Sequence, residues 1–147
     1  LFVLVKTSNP GSGDLQDRRV DGEPLYLQVA RGLAPRAAAL AAPKTGWSSL
    51  GIVCGATYPD EARRVREVLP NALFLVPGYG AQGARASDAV APFVAGPRGL
   101  EGGIVNSSRA ILFPDAARAA TDVPTWARAI AAALDRAITE LTEAVQR

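Results

Sequence analysis

Apolar residues fall into four short continuous runs, each closed by Gly-, Pro- or Ser-rich residues and then by residues with a helical period. The runs are Phe2–Val5, Gly51–Cys54, Leu73–Val76 and Gly103–Val105. Continuous runs rich in Val, Ile and Phe are the pattern of strands buried on both faces. They predict strands over about 2–6, 51–55, 73–77 and 103–106. Between them, Tyr26, Val29, Ala30 and Leu33 recur at three-to-four spacing within Pro24–Ala42, which predicts a helix that Pro35 kinks or breaks. Asp60–Leu69 follows Pro59 with acids in its first turn and sets Val65, Val68 and Leu69 on one face. Its Arg63, Arg64 and Arg66 read as a solvated face. Ser87–Ala95 is a shorter helical candidate interrupted by Pro92. The clearest helix spans about 123–146, with Asp122 as N-cap and Pro124 in its first turn. Its apolar stripe is Trp126, Ile130, Leu134, Ala137, Ile138, Leu141 and Val145, with Arg128, Arg136, Glu140 and Glu143 facing water.

Four strand–loop–helix units in a row demand a parallel sheet with right-handed crossovers. Such connections lay the helices mainly on one face and leave both sheet edges open. Two halves of this kind close an eight-stranded β/α barrel, which takes about 250 residues. The expected fold of residues 1–147 is therefore α/β, the C-terminal half of a (β/α)8 TIM barrel completed by an N-terminal half. A small flavodoxin-like open sheet is the alternative, and would cover both its faces unaided. The sequence contains no Met and opens directly in an apolar run, so it is expected to begin partway through a fold.

Composition narrows the chemistry. The chain has 147 residues, 48% hydrophobic and 20% charged, the balance of an ordinary globular domain. It has no His, which excludes a His base, a His-activated nucleophile and a His-ligated metal. Cys54 is the single cysteine, so no internal disulfide or Cys-rich zinc site forms; it is expected to pack as a small hydrophobe in a reducing compartment. A net charge of +2, with both signs scattered, argues against nucleic acid as a partner. No apolar run approaches the roughly 18 residues of a membrane span, and no signal-peptide pattern is present. The expected setting is the cytoplasm. GxxxxGK[ST], GxSxG and HExxH motifs are all absent.

Polar residues gather where the predicted strands end, the place at which barrels and open α/β sheets build their sites. In Pro77–Gly83, three glycines are expected to let the backbone approach a ligand and to present N–H groups to an anion. Gln82 adds an amide to that loop. The next loop supplies Ser107, Ser108 and Arg109, and Arg suits bidentate phosphate binding. If these are a barrel's seventh and eighth loops, Gln82 and Arg109 are the natural phosphate pair; turn glycines and a surface Arg are the competing reading. Strict alternation along the first run puts Lys6 and Ser8 on one side, facing the barrel interior. A buried Lys6 would need a carboxylate partner; otherwise it snorkels toward the strand end. Thr57 either lines the same mouth or caps the following helix. Gly11–Glu23 reads as a mobile loop over the site or as a solvated connector.

Four segments, in order, resemble successive motifs of the orotidine 5′-phosphate decarboxylases, in the bacterial subgroup with a Thr-Ser-Asn-Pro signature. They are Lys6-Thr7-Ser8-Asn9-Pro10-Gly11, Gly51–Pro59, Pro77-Gly78-Tyr79-Gly80-Ala81-Gln82-Gly83 and Asn106-Ser107-Ser108-Arg109-Ala110-Ile111. The resemblance implies a β/α barrel that converts orotidine monophosphate to UMP in pyrimidine synthesis without a cofactor. By the same resemblance, Ser8 matches the serine that hydrogen-bonds the pyrimidine. Gln82 matches the loop glutamine that reaches the phosphate, and Arg109 the arginine paired with it. Ser108 stands where a backbone N–H joins that grip, and Pro77 and Gly78 belong to the same loop. One departure is large: the family's catalytic Asp-x-Lys-x-x-Asp is absent, and the only lysines are Lys6 and Lys44. The resemblance thus places no catalytic residue in this chain and implies that it is inactive alone. Its expected partners are an N-terminal half, separate or cleaved, and a second copy in a homodimer of complete barrels. A non-catalytic nucleotide- or phosphate-binding half-barrel is the alternative function.

Overall fold

The computed structural model describes residues 1–97 and 99–146. Its main sheet contains β1 (Phe2–Lys6), β2 (Gly51–Cys54), β3 (Phe74–Val76) and β4 (Gly103–Val105), in the order β1-β2-β3-β4. All three pairings are parallel. A sheet whose strands follow one another in sequence order has no point where the order reverses, so every right-handed crossover returns on the same side. That excludes the flavodoxin-like alternative, whose helices must cover two faces.

Register shows which residues share a face. Val3 pairs with Ile52, Ile52 with Phe74 and Phe74 with Gly103; Leu4 pairs with Val53, Val53 with Leu75 and Leu75 with Ile104. The first set faces the helices α1 (Leu25–Ala39), α2 (Pro59–Val68) and α3 (Val123–Val145). The core lies there, with Ile52, Cys54, Phe74 and Val76 packed among Tyr26, Leu27, Ala30, Val65, Leu69 and Ala137. The second face is bare: Leu4 is 54% and Ile104 52% exposed. Helices on one side and uncovered apolar residues on the other are the arrangement of an arc cut from a closed barrel. Among the described residues, no helix is long and apolar enough to cross a membrane.

The structure departs from the expected elements at five places. A register shift between Leu4 and Lys6 breaks the alternation of β1, so Val5 and Lys6 are both buried and Lys6 leaves the open face. Pro35 sits inside α1 without ending it; Arg31, whose carbonyl loses its usual partner, lies on an exposed turn where water can replace the bond. The helix expected over Ser87–Ala95 is a single turn, Ala86–Ala89, followed by an antiparallel hairpin of Val94–Gly96 with Gly99–Glu101. Gly11–Glu23 holds a 3-10 turn, a short helix over Gly13–Gln16 and a strand paired with Glu23–Pro24. Arg66, expected in water, is buried and donates to the carbonyls of Leu69, Pro70, Ala72, Pro92 and Gly102. Its guanidinium also stacks 3.9 Å from the Phe74 ring centre, and burial lowers its pKa to about 10, so it stays charged at neutral pH.

The closing helix begins as its capping pattern requires: the Asp122 carboxylate accepts from the Thr125 backbone N–H at 2.8 Å. Its apolar stripe is only partly used. Ala133 and Ala137 are buried, whereas Trp126, Leu134 and Ile138 are exposed.

Candidate functional site

Each of the three segments after β1, β3 and β4 contributes to one cleft at the carboxyl edge of the sheet. Ser8, Pro77, Gly78, Gln82, Ser108 and Arg109 all line it, beside Tyr79, Asn106 and Ser107. Its volume is about 190 Å³. That is below the roughly 300–1,000 Å³ of a complete small-molecule pocket and leaves room for a phosphate-sized group.

Two glycines set how closely the walls approach. Gly78 has φ +103, and a Cβ there would lie 3.0 Å from both the Ser8 Cβ and the Gln82 Oε1. Gly55 carries the Ser8 backbone against it, where a Cβ would meet the Ser8 Cα at 2.6 Å. Any larger residue at either position pushes Ser8 out of line with the Gln82 loop.

The loop's N–H groups are less available than its glycine content predicts. The Gly80 N–H donates to the Ala84 carbonyl and the Gly83 N–H to the Gly80 carbonyl. These two glycines therefore close the turn, and their N–H groups are not free to meet a ligand. Gln82 and Arg109 are exposed, and Arg109 forms no ion pair among the described residues. A free guanidinium beside a free amide, with no carboxylate or lysine in the lining, suits an anion better than acid–base chemistry.

Supporting contacts that the sequence did not disclose hold this edge together. Thr57 does not cap α2: its hydroxyl donates to the Ser8 carbonyl at 3.0 Å, tying β2's end to β1's. Tyr79 is buried, and its hydroxyl donates to Glu140 of α3 at 2.6 Å. Burial first, and then Glu140, pushes the Tyr79 phenol up to about 12. Ser107 donates to the Tyr79 carbonyl at 3.0 Å, which joins the last two loops. A tyrosine set between two loop glycines was the one available signal. Lys6 is absent from the cleft; it turns under Tyr58 and bonds Asp17 at 2.5 Å. Cys54 is buried as expected, and burial pushes its thiol up to about 12, which keeps it unreactive.

No family model matches the chain. Its similarity to curated proteins is strong nonetheless. It is 42% identical over 136 residues to orotidine 5′-phosphate decarboxylase of Rhodopirellula baltica, covering 90% of this chain and 44% of that protein. The same enzyme of Halorubrum lacusprofundi is 47% identical over 116 residues, covering 77% of this chain and 39% of the relative. Among solved structures, Leishmania donovani OMP decarboxylase superposes with a TM-score of 0.62 at 34% identity, over 99% of this chain and 47% of that one. The chain thus spans less than half the length of these relatives. The resemblance carried by the four motifs holds, and the four-stranded arc is a partial barrel.

Proposed function

We propose that this chain, which is related over most of its length to the orotidine 5′-phosphate decarboxylases, is the nucleotide-gripping part of such an enzyme. The complete barrel removes carbon dioxide from orotidine monophosphate and leaves UMP. The observation that carries this reading is the convergence of Ser8, Gln82 and Arg109, from three strand ends, on one cleft. Arg109 and Gln82 face the phosphate, a dianion that a fork of N–H donors matches well. Ser8, across the Gly78 approach, faces the pyrimidine. The Ser108 backbone N–H joins the phosphate grip, and Pro77 and Gly78 form the wall between the two ends of the nucleotide.

In the reaction, the bond between the ring carbon and the carboxylate breaks and carbon dioxide departs. The electron pair stays on the ring carbon, which then takes a proton. The cleft lining holds no lysine or carboxyl group, and the one phenol there, Tyr79, is engaged by Glu140. Lys6 is held by Asp17 on the helix side of the sheet, and Lys44 lies exposed in a turn. The donor is the lysine of an Asp-x-Lys-x-x-Asp segment outside these residues, on the half-barrel that covers Leu4 and Ile104. Binding energy gathered at the phosphate by Arg109 and Gln82 serves the chemical step when it is expressed in the transition state. Complete barrels then pair as homodimers in the cytoplasm, a setting that an unpaired, buried Cys54 supports.

The test is an assay of the full 147-residue chain with and without a polypeptide bearing Asp-x-Lys-x-x-Asp. The proposal expects the chain alone to bind UMP and release no carbon dioxide from orotidine monophosphate, and the pair to turn it over. Turnover by neither, with UMP bound all the same, would make the chain a non-catalytic nucleotide-binding half-barrel. No binding of UMP in either sample would remove the nucleotide reading.

A further inference from the structure

Lys6 is a fully buried cation that the proposed chemistry does not use. It reaches that position because the register shift in β1 sends two consecutive side chains, Val5 and Lys6, to the helix side. There its ammonium bonds the Asp17 carboxylate at 2.5 Å and sits 4.4 Å from the Tyr58 ring centre and 5.5 Å from that of Tyr26. A buried ammonium is costly without a hydrogen-bonded counter-charge, so the position of Lys6 depends on Asp17.

The three residues that follow are tied down in the same way. The Thr7 N–H donates to the Gln16 Oε1 at 3.0 Å, the Thr57 hydroxyl to the Ser8 carbonyl at 3.0 Å, and the Tyr58 hydroxyl to the Asn9 carbonyl at 3.2 Å. Four successive residues, Lys6 to Asn9, are thus anchored from two sides. Gln16 and Asp17 come from the excursion after β1, and Thr57 and Tyr58 from the end of β2. Ser8 is the member of this run that lines the cleft.

We infer that Lys6 and Asp17, with Gln16, are positioning residues that set where the Ser8 hydroxyl stands relative to Gln82 and Arg109, and so govern selection of the base. The inference rests on the nucleotide reading above for what Ser8 contacts. The Gly11–Glu23 segment is then a clamp on the base-reading end of the site. It acts through Lys6 and Thr7 and touches no ligand itself. Removing the Asp17 charge leaves an ammonium that must leave its pocket, which drags the backbone two residues before Ser8. The phosphate grip is on the last two strands and does not move with it.

The experiment uses the full 147-residue chain and its Asp17→Asn, Asp17→Glu and Gln16→Ala variants, titrated with UMP, CMP and ribose 5-phosphate. Asp17→Asn is expected to cut the preference for UMP over CMP by up to about tenfold, the scale of one hydrogen bond between neutral groups. Affinity for ribose 5-phosphate stays unchanged, and Asp17→Glu restores part of the preference. Gln16→Ala, which leaves the ion pair intact, shows a smaller loss of the same kind. Amide hydrogen exchange reads the positioning without a ligand: in Asp17→Asn it rises at Thr7 and Gly55 while Leu75 and Val105 keep their protection. A loss shared equally by UMP and ribose 5-phosphate, or exchange rising evenly across the sheet, would overturn the inference, as would no change in either readout. Failure of the wild-type chain to bind UMP would sink the nucleotide reading instead, and the exchange pattern would still decide whether Asp17 holds the Ser8 segment.

Discussion

At the scale of single residues, the proposed nucleotide grip gives Arg109 and Ser8 opposite ends of the ligand, and each can be measured alone. Arg109→Ala is expected to weaken UMP binding by about 1.5–3 kcal/mol, the worth of a charge-assisted hydrogen bond, and to leave uridine binding as it was. Calorimetric titration with both ligands checks this; equal losses would take Arg109 off the phosphate. Ser8→Ala is expected to lower the preference for UMP over CMP and leave affinity for ribose 5-phosphate alone, and an unchanged ratio would take Ser8 off the base. The residues around the cleft were legible because their motifs sit where apolar runs stop, and strand ends converge in any parallel sheet. Lys6 was not legible: alternation assigns it to the open face, and only a bulge, invisible in the residue pattern, turns it toward the helices. Arg66 misled for a different reason. Its neighbours in sequence are charged, but its partners are carbonyls from segments up to 36 residues away.

Elements explain what those residues rest on. Arg66 joins the end of α2 to the chain entering β3 and β4, at the edge of the sheet opposite the cleft. Arg66→Ala would strand several buried carbonyls, each costing about 1–3 kcal/mol. The expected loss is at least about 3 kcal/mol in urea unfolding, and Arg66→Lys recovers only part of it, because one ammonium cannot span the same acceptors. A loss below 1 kcal/mol, on that same scale, would contradict the role. Titration of the core adds a pH dependence. The Cys54 thiol and Tyr79 phenol are both raised to about 12 in the folded chain, from ordinary values of 9.0 and 10.0. Well below pH 9 both states hold these protons; above it the unfolded chain gives them up first, so stability falls as pH rises from about 9 toward 10. At that point the Arg66 guanidinium, lowered to about 10 by burial, begins to act in the opposite sense. Denaturant midpoints across that range check the slope, and Cys54→Ala with Tyr79→Phe should reduce it, leaving the share of Tyr26, whose phenol burial also raises. The strands and the long helices were visible in the sequence through their periodicity. The Val94–Glu101 hairpin was not, since strands of three residues carrying glycines show no period to detect.

For the molecule as a whole, sequential strand order decides most of the architecture. It puts α1, α2 and α3 on one face, bares Leu4 and Ile104 on the other, and gathers three of the strand ends into the cleft. The βα repeat made this order expected, and the expectation of a barrel half followed from counting units. What the repeat did not disclose is how much of α3 stays uncovered, because an apolar stripe is equally periodic whether or not a partner packs on it. A ligand that touches three strand ends binds only when all three are in register, so it stabilises the folded chain by mass action. UMP at a hundredfold its Kd is worth about 2.7 kcal/mol, which should raise the thermal midpoint by about 5–10 °C; uridine at the same concentration should do less. No shift with UMP would mean that the cleft is not its seat. The wall of this site at Ser8 and Thr57 is joined across 49 residues of chain, and the Arg109 loop lies farther along still. Long loops must close before such a wall exists, and parallel pairing is the slow part of building a sheet. The binding site is therefore a late event in folding, and a fluorescent nucleotide added to refolding chains would act as a clock that starts only when the last strand has docked.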